Sequence, residues 1–172
     1  QASFSLTLGY LGGLKADLGQ FDESERYHRR SLELAEHALL ANPDDFRAAE
    51  SRVLVLFELG ELALRRGQGP SATELLSRCA ALGEQQLALN PENADVGHAT
   101  SYCELLLGDV ASAARVAEKV RAKAAPAEWE STWLQLDLLR GAYPSVVKAV
   151  PGVTRSNRPL ALIQGAIAAA LM

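Results

Sequence analysis

Residues 11–43 read LGGLKADLGQFDESERYHRRSLELAEHALLANP, and the main features of this segment return once more along the chain. Three landmarks recur 48 positions later: Leu11-Gly12 as Leu59-Gly60, Gly19 as Gly67, and Asn42-Pro43 as Asn90-Pro91. In both copies a helix-forming run is followed by a glycine, a second helix-forming run and an Asn-Pro pair, which ends a helix because proline disfavours the α region for the residue before it. A repeat of this length predicts helical hairpins stacked in an array.

The composition favours an all-α fold. Hydrophobic residues make up 48% of the chain and charged residues 22%, a balance typical of ordered globular proteins. Glycine and proline fall between long runs of Ala, Leu, Glu and Arg, which are strong helix formers. No segment alternates polar and apolar residues with a period of two, so no β-strand is predicted.

Apolar spacing and capping residues give the limits of the predicted helices. The first spans about 3–18 and is expected to bury the residues that recur every three or four positions: Phe4, Leu8, Leu11, Leu14 and Leu18. Asp22 is predicted to cap the second helix, with Glu25 as the returning carboxylate. The third helix, about 45–66, is expected to bury four residues: Val53, Leu56, Leu59 and Ala63. Further helices are predicted over about 70–89, 92–107, 110–124, 126–140, 144–150 and 160–171.

The charge balance and the two cysteines argue against some classes of protein. A net charge of −4 disfavours binding along a nucleic-acid backbone, which needs clustered Lys and Arg. Cys79 and Cys103 fall in predicted helices and are expected to be free, half-buried thiols in a reducing compartment. No apolar run reaches the length of a membrane span, and no signal-peptide pattern is present. We therefore expect a cytoplasmic protein, and the missing initiator methionine predicts a fragment of a longer chain or a processed one.

Two segments resemble the tetratricopeptide repeat: Leu11-Gly12-x6-Gly19-x-Phe21-x2-Ser24 and Leu107-Gly108-Asp109-Val110-x2-Ala113. In that family a Leu-Gly pair lies in the first helix, a glycine in the turn, an aromatic residue two positions later and a small residue three beyond it. Two further turns fit the same register: Gly67 with Ala72, and Gly141 with Tyr143 and Val146.

The chain also departs from the family pattern. Pro43 and Pro91 close the second helices about two turns late, and Gly69 replaces the aromatic residue of the second turn. This long form is similar to arrays in bacterial multidomain proteins, including those that follow Ser/Thr kinase domains. The resemblance implies a right-handed superhelix of antiparallel helix hairpins, whose first helices line a concave groove for a peptide, a helix or another domain.

The resemblance predicts one repeat domain over residues 1–152. Its units are expected to span about 3–41, 44–89, 92–124 and 127–150. Residues 153–172 are expected to form a loop and a terminal apolar helix that packs on the array or on a partner.

The family register places ten candidate groove residues on the first helices of units two to four: Leu54, Phe57, Glu58, Glu61, Arg65, Asp95, His98, Tyr102, Ser131 and Gln135. Aromatic rings beside carboxylates suit a peptide that carries Arg or Lys, through ion pairs and cation–π contacts. The alternative is that Phe57 and Tyr102 only pack against adjacent helices. One subfamily holds a terminal carboxylate with a Lys and Asn clamp, but here other residues occupy the clamp positions: Gly9, Gly13, Phe57 and Glu61.

No catalytic, cofactor or metal site is predicted. His28, His37 and His98 lack the spacing of four on one helix face that would pair them as metal ligands. The sequence contains no Gly-x-Ser-x-Gly and no glycine-rich phosphate loop. A non-catalytic protein without a cofactor is therefore expected.

The predicted last helix is apolar nearly all round and is too short to span a bilayer. Its large apolar residues form a possible assembly surface: Leu160, Ile163, Ile167 and Leu171. Terminal repeats normally need a polar outer face. This helix is therefore expected to be covered by a further repeat, to form a homodimer interface, or to fold back on the array.

The main functional hypothesis is a protein–protein interaction scaffold that binds a peptide, a helix or a domain in its groove. A first alternative is a regulatory or oligomerising segment of a larger bacterial signalling protein or enzyme, such as a Ser/Thr kinase. A second alternative is a small-ligand sensor, which predicts a deep pocket around His98, Tyr102 and Trp133.

Overall fold

The computed structural model describes residues 2–120 together with residues 137, 139, 141 and 144. Six α-helices account for most of the continuous range: α1 (Ala2–Asp17), α2 (Phe21–Ala41), α3 (Phe46–Arg65), α4 (Gly69–Leu89), α5 (Ala94–Leu106) and α6 (Val110–Val120). No β-strand occurs among the described residues. The all-α fold class is confirmed, and the helix limits lie close to the predicted ones.

Each helix in residues 2–120 packs against the helix that follows it. In addition, α1 packs against α3, and α3 packs against α5. The odd-numbered helices therefore lie side by side, and residues from all three can contribute to one surface.

Three hairpin turns share one backbone geometry. Gly19, Gly67 and Gly108 adopt positive φ angles of 72°, 69° and 87°, a region that residues with a Cβ atom rarely enter. In each turn the glycine N–H donates to the carbonyl three residues back, and the next N–H donates to the carbonyl five residues back, as in the Schellman motif. The predicted glycine turns are confirmed, and Gly141 has the same conformation, with a φ of 75°.

Polar side chains cap the N-terminal ends of α3 and α5. The Asp45 carboxylate accepts hydrogen bonds from the backbone N–H groups of Arg47 and Ala48. The Asn93 side chain accepts one from the backbone N–H of Val96. Both caps follow the Asn-Pro segments that end the preceding helices, so the predicted stop-and-restart at these segments is confirmed.

The predicted cap of the second helix is wrong. No side chain caps α2, which begins at Phe21 and leaves Asp22 inside the first turn. The Asp22 carboxylate does not bind the backbone at the helix start and instead pairs with Arg66 at 2.6 Å. Glu25 likewise binds Arg66, at 2.8 Å, in addition to Arg29.

The Leu-Gly pairs of the two long repeats allow close helix contacts. A methyl group on Gly12 would lie 2.6 Å from Nε2 of His28, and one on Gly60 would lie 2.6 Å from Cδ2 of Leu76. Each contact joins a glycine to a residue 16 positions further along the chain (12 to 28 and 60 to 76). The two hairpins therefore use the same packing register, with a histidine in the first and a leucine in the second.

The main hydrophobic core lies among α3, α4, α5 and α6. It contains Val53, Leu56, Leu76, Val96 and Val116, among other buried residues. The residues predicted to be buried on the third helix are all buried: Val53, Leu56, Leu59 and Ala63.

The buried face of α1 was predicted incorrectly. Leu8 is buried, with 8% of its surface exposed, but the other apolar residues of the predicted face are largely exposed: Phe4 59%, Leu11 39%, Leu14 60% and Leu18 72%. Small residues face the neighbouring helices instead. Gly12 packs against the ring of His28, and Ser5 Oγ lies 2.7 Å from Ser51 Oγ. The regular apolar spacing of α1 therefore marks an exposed stripe.

The prediction of free, half-buried thiols is also wrong. Cys79 of α4 and Cys103 of α5 are fully buried and form a disulfide, with Cα atoms 6.5 Å apart. The two positions face each other because α4 packs directly on α5. The inference of a reducing compartment rested on free thiols and loses that basis.

Several predictions concern residues outside the described part of the chain. They are the predicted helices after residue 120, the groove candidates Ser131 and Gln135, the pocket residue Trp133, and the possible assembly surface Leu160, Ile163, Ile167 and Leu171. Within the described part, no helix has the length and apolar character needed to cross a bilayer.

Candidate functional site

An aromatic cluster joins α3 to α5. It consists of Phe57, His98 and Tyr102, and the ring centroids lie 6.3 Å apart for Phe57–His98, 5.7 Å for Phe57–Tyr102 and 5.8 Å for His98–Tyr102. Phe57 meets both other rings edge-on, a favourable aromatic geometry. All three side chains are half-buried, so part of the cluster remains at the surface. The fold thus brings together three predicted groove residues from two different repeats.

Two other groove candidates lie one helical turn before members of this cluster. Leu54 lies one turn before Phe57 and packs against the hydrophobic core. Asp95 is exposed at the start of α5, one turn before His98.

The remaining candidates of α3 line a pocket between α1 and α3. Its volume is about 230 Å³. The lining comes from three helices: Gly13, Ala16 and Asp17 of α1, His28 of α2, and Glu58, Glu61, Leu62 and Arg65 of α3. Because three of these residues carry carboxylates, we refer to this site as the acidic pocket.

The carboxyl groups of the acidic pocket are electrostatically coupled. The pKa of Glu58 is raised to about 7, mainly by burial, with the charges of Glu61 and Asp17 contributing to the rise and Arg65 opposing it. Burial also raises the pKa of Glu61, again with Arg65 in opposition and Asp17 in support. A cation bound in the pocket would favour the charged form of these carboxyl groups.

The acidic pocket and the aromatic cluster are neighbours. Burial raises the pKa of Tyr102, and the charge of Glu61 raises it further. Since Glu61 also lines the pocket, one carboxylate influences both parts. We refer to the acidic pocket and the aromatic cluster together as the α1–α3–α5 face.

His28 contributes an uncharged ring to the acidic pocket. Only 1% of its surface is exposed, and burial lowers its pKa to about 4. Its Nδ1 atom is buried and has no hydrogen-bond partner among the described residues. A neutral imidazole carries one N–H donor and one acceptor nitrogen, so Nδ1 is an unpaired donor or an unpaired acceptor according to the tautomer.

The sequence contained one signal for His28 that was missed. The 48-residue repeat places His28 opposite Leu76, so a polar ring stands where the second copy has a core leucine. Asp17 gave no comparable signal, because a carboxylate near the end of a helix usually faces solvent. Its place in the pocket depends on the contact of α1 with α3.

Comparison of the chain with protein-family models, curated proteins and solved structures finds no match. Its function is therefore inferred from the fold and from the α1–α3–α5 face. Among the described residues, no group of three or more His, Cys, Asp or Glu side chains is arranged to hold a metal ion.

Proposed function

We propose that this protein is a non-catalytic interaction domain of the tetratricopeptide type, which binds a segment of a protein partner along the α1–α3–α5 face. The sequential packing of hairpins and the contacts of α1 with α3 and of α3 with α5 support this architecture. The three glycine turns, which share one backbone geometry, also support this architecture. In this proposal the hairpins form a right-handed superhelix, and the α1–α3–α5 face is its concave side.

The aromatic cluster is the observation that carries the proposal. Phe57, His98 and Tyr102 offer three half-buried rings at a junction between repeats, beside the carboxylates of Glu58 and Glu61. Aromatic residues are enriched at protein interfaces and dominate their binding energy. The combination suits a partner segment that carries both apolar and basic side chains.

Selection from a random peptide library on the immobilised protein tests this function. The selected peptides are expected to be enriched in Arg or Lys together with aromatic or aliphatic residues. The Phe57→Ala variant should no longer enrich them. The matched control is Phe46→Ala, because Phe46 is an exposed aromatic residue at the start of α3 that stacks under Arg47 and lies outside the cluster. Enrichment that persists with Phe57→Ala and is lost with Phe46→Ala would contradict the proposal.

A small-ligand sensor is the second candidate, and the acidic pocket favours it. The pocket lies between α1 and α3 and is not lined by His98 or Tyr102. A rise in melting temperature across a panel of small cationic metabolites would support this candidate, because a ligand that binds only the folded state stabilises it. A flat response to that panel would count against it.

A further inference from the structure

We propose that the acidic pocket is a binding site for a guanidinium group. The most direct source is an arginine side chain of the bound partner segment, and in that form the inference rests on the proposed function. A free guanidinium compound is the other source of the same chemistry. The two sources are separated by the experiment below.

The first argument is that none of the pocket carboxylates forms an ion pair. No ion pair among the described residues engages Asp17, Glu58 or Glu61. Arg65 is the one arginine or lysine that lines the pocket, so a single guanidinium lies beside three carboxyl groups.

Several carboxylates at other helix junctions form ion pairs, although the buried Glu104 does not. Their partners are one lysine and three arginines: Glu23 with Lys15, Asp22 and Glu25 with Arg66, Glu36 with Arg78, and Glu84 with Arg115. The carboxylates of the acidic pocket differ from these paired ones, because Arg65 lines the pocket but forms no ion pair with any of them.

The second argument comes from His28. A fully buried polar ring normally satisfies its hydrogen-bonding atoms, because a buried unpaired group costs about 1–3 kcal/mol. The His28 ring lines the pocket and its Nδ1 has no partner among the described residues. The second copy of the repeat shows that leucine fits this register without that cost. The histidine therefore indicates a polar ligand that enters from the pocket.

The chemistry of the lining favours guanidinium over ammonium. A guanidinium has five N–H donors in one plane and no acceptor, which matches a lining of carboxylates and a neutral imidazole. It is also more weakly hydrated than an ammonium, so it enters a half-buried site at lower cost. The volume of about 230 Å³ is smaller than the roughly 300–1,000 Å³ typical of pockets for drug-sized ligands. It is suited to the head of one side chain.

NMR titration of the protein with N-acetylarginine amide tests the inference. Saturable shifts are expected at the Gly13 amide and the His28 ring, with weak affinity on the order of millimolar. N-acetyllysine amide at the same ionic strength should bind at least tenfold more weakly. The absence of saturable shifts at these two residues would overturn the inference, as would equal binding of the lysine compound.

Two variants assign the binding to the pocket. Glu61→Gln keeps the shape of the side chain and removes its charge, and it should weaken N-acetylarginine amide binding about tenfold. Glu74→Gln is the matched control, because Glu74 is an exposed carboxylate on α4 that does not line the pocket. Equal loss of binding in both variants would contradict a localised site.

The affinities of peptides and of free guanidinium compounds distinguish the two sources of the guanidinium group. The source is a partner side chain if two results are obtained. An arginine peptide from the library selection binds at least tenfold more tightly than N-acetylarginine amide, and replacing its arginine with citrulline abolishes that gain in affinity. If free agmatine binds as tightly as any selected peptide, the site takes a free guanidinium compound. The titration with N-acetylarginine amide does not depend on the peptide selection. Guanidinium binding in the pocket can therefore be disproved while the proposed function stands, and the proposed function can be disproved while guanidinium binding stands.

Discussion

Gly12 of α1 lies directly against the imidazole of His28 on α2, so that a methyl group on Gly12 would come within 2.6 Å of His28 Nε2. The same ring lines the acidic pocket and has an unpartnered nitrogen. One pair of residues therefore links the packing of the first hairpin to the candidate binding surface.

Replacing Gly12 with alanine is expected to destabilise the protein by about 1–2 kcal/mol. Displacing a packed ring costs about 1–3 kcal/mol, and the better helix propensity of alanine returns about 0.5–1 kcal/mol. Urea unfolding measures the difference. The matched control is Gly13→Ala on the same helix, where a methyl group meets nothing within 4 Å and a gain of about 0.5–1 kcal/mol is expected. The packing account is wrong if both variants are equally stable.

Replacing Glu58 with glutamine is expected to stabilise the protein more as the pH rises. Burial raises the pKa of Glu58 to about 7 in the folded state, above the ordinary value of 4.5. As the pH rises, the unfolded chain therefore loses this proton at a lower pH than the folded protein does. The free energy of unfolding of the wild type consequently falls between about pH 4.5 and 7. Because the side chain is only half-buried, we expect a gain for Glu58→Gln of about 1–2 kcal/mol at pH 8 and little at pH 4.

Urea unfolding at pH 4 and pH 8 gives the difference in free energy of unfolding between Glu58→Gln and the wild type at each pH. Glu74→Gln, on the exposed side of α4, is the control and should differ from the wild type equally at both pH values. A gain for Glu58→Gln that is independent of pH would show that the folded protein does not hold this proton.

Reduction of the Cys79–Cys103 disulfide is expected to lower the free energy of unfolding by about 3 kcal/mol. The bond closes a loop with a sequence separation of 24, and constraining such a loop in the unfolded chain has roughly this effect. Unfolding curves with and without a thiol reductant give the value. The double variant Cys79→Ala/Cys103→Ala should be insensitive to the reductant, and alkylation of both cysteines in the unreduced, denatured protein would contradict the bond.

The turns and the helix limits could be predicted because their causes are local. A glycine at Gly19, Gly67 or Gly108 meets a requirement for positive φ that is set within one turn. Likewise, Asp45 caps α3 through hydrogen bonds to residues only two and three positions away. The sequence contains everything that decides such features.

The buried face of α1 could not be predicted, because helical spacing shows that apolar residues share a face but not which element covers it. The stripe with Phe4 and Leu14 remains exposed, while Ser5 and Gly12 face the neighbouring helices.

Long-range contacts were missed for the same reason. The Cys79–Cys103 bond depends on the contact of α4 with α5, and the acidic pocket depends on the contact of α1 with α3. The repeat register did place Phe57, His98 and Tyr102 on adjacent helices, and the structure brings their rings together.

Calorimetric titration of one selected peptide tests the binding role of the α1–α3–α5 face most directly. It compares the wild type with Phe57→Ala and Phe46→Ala, after circular dichroism has shown that both variants keep the helical fold. We predict at least tenfold weaker binding for Phe57→Ala, or about 1.4 kcal/mol, and less than a twofold change for Phe46→Ala. Unchanged affinity in Phe57→Ala would contradict the binding role of this face.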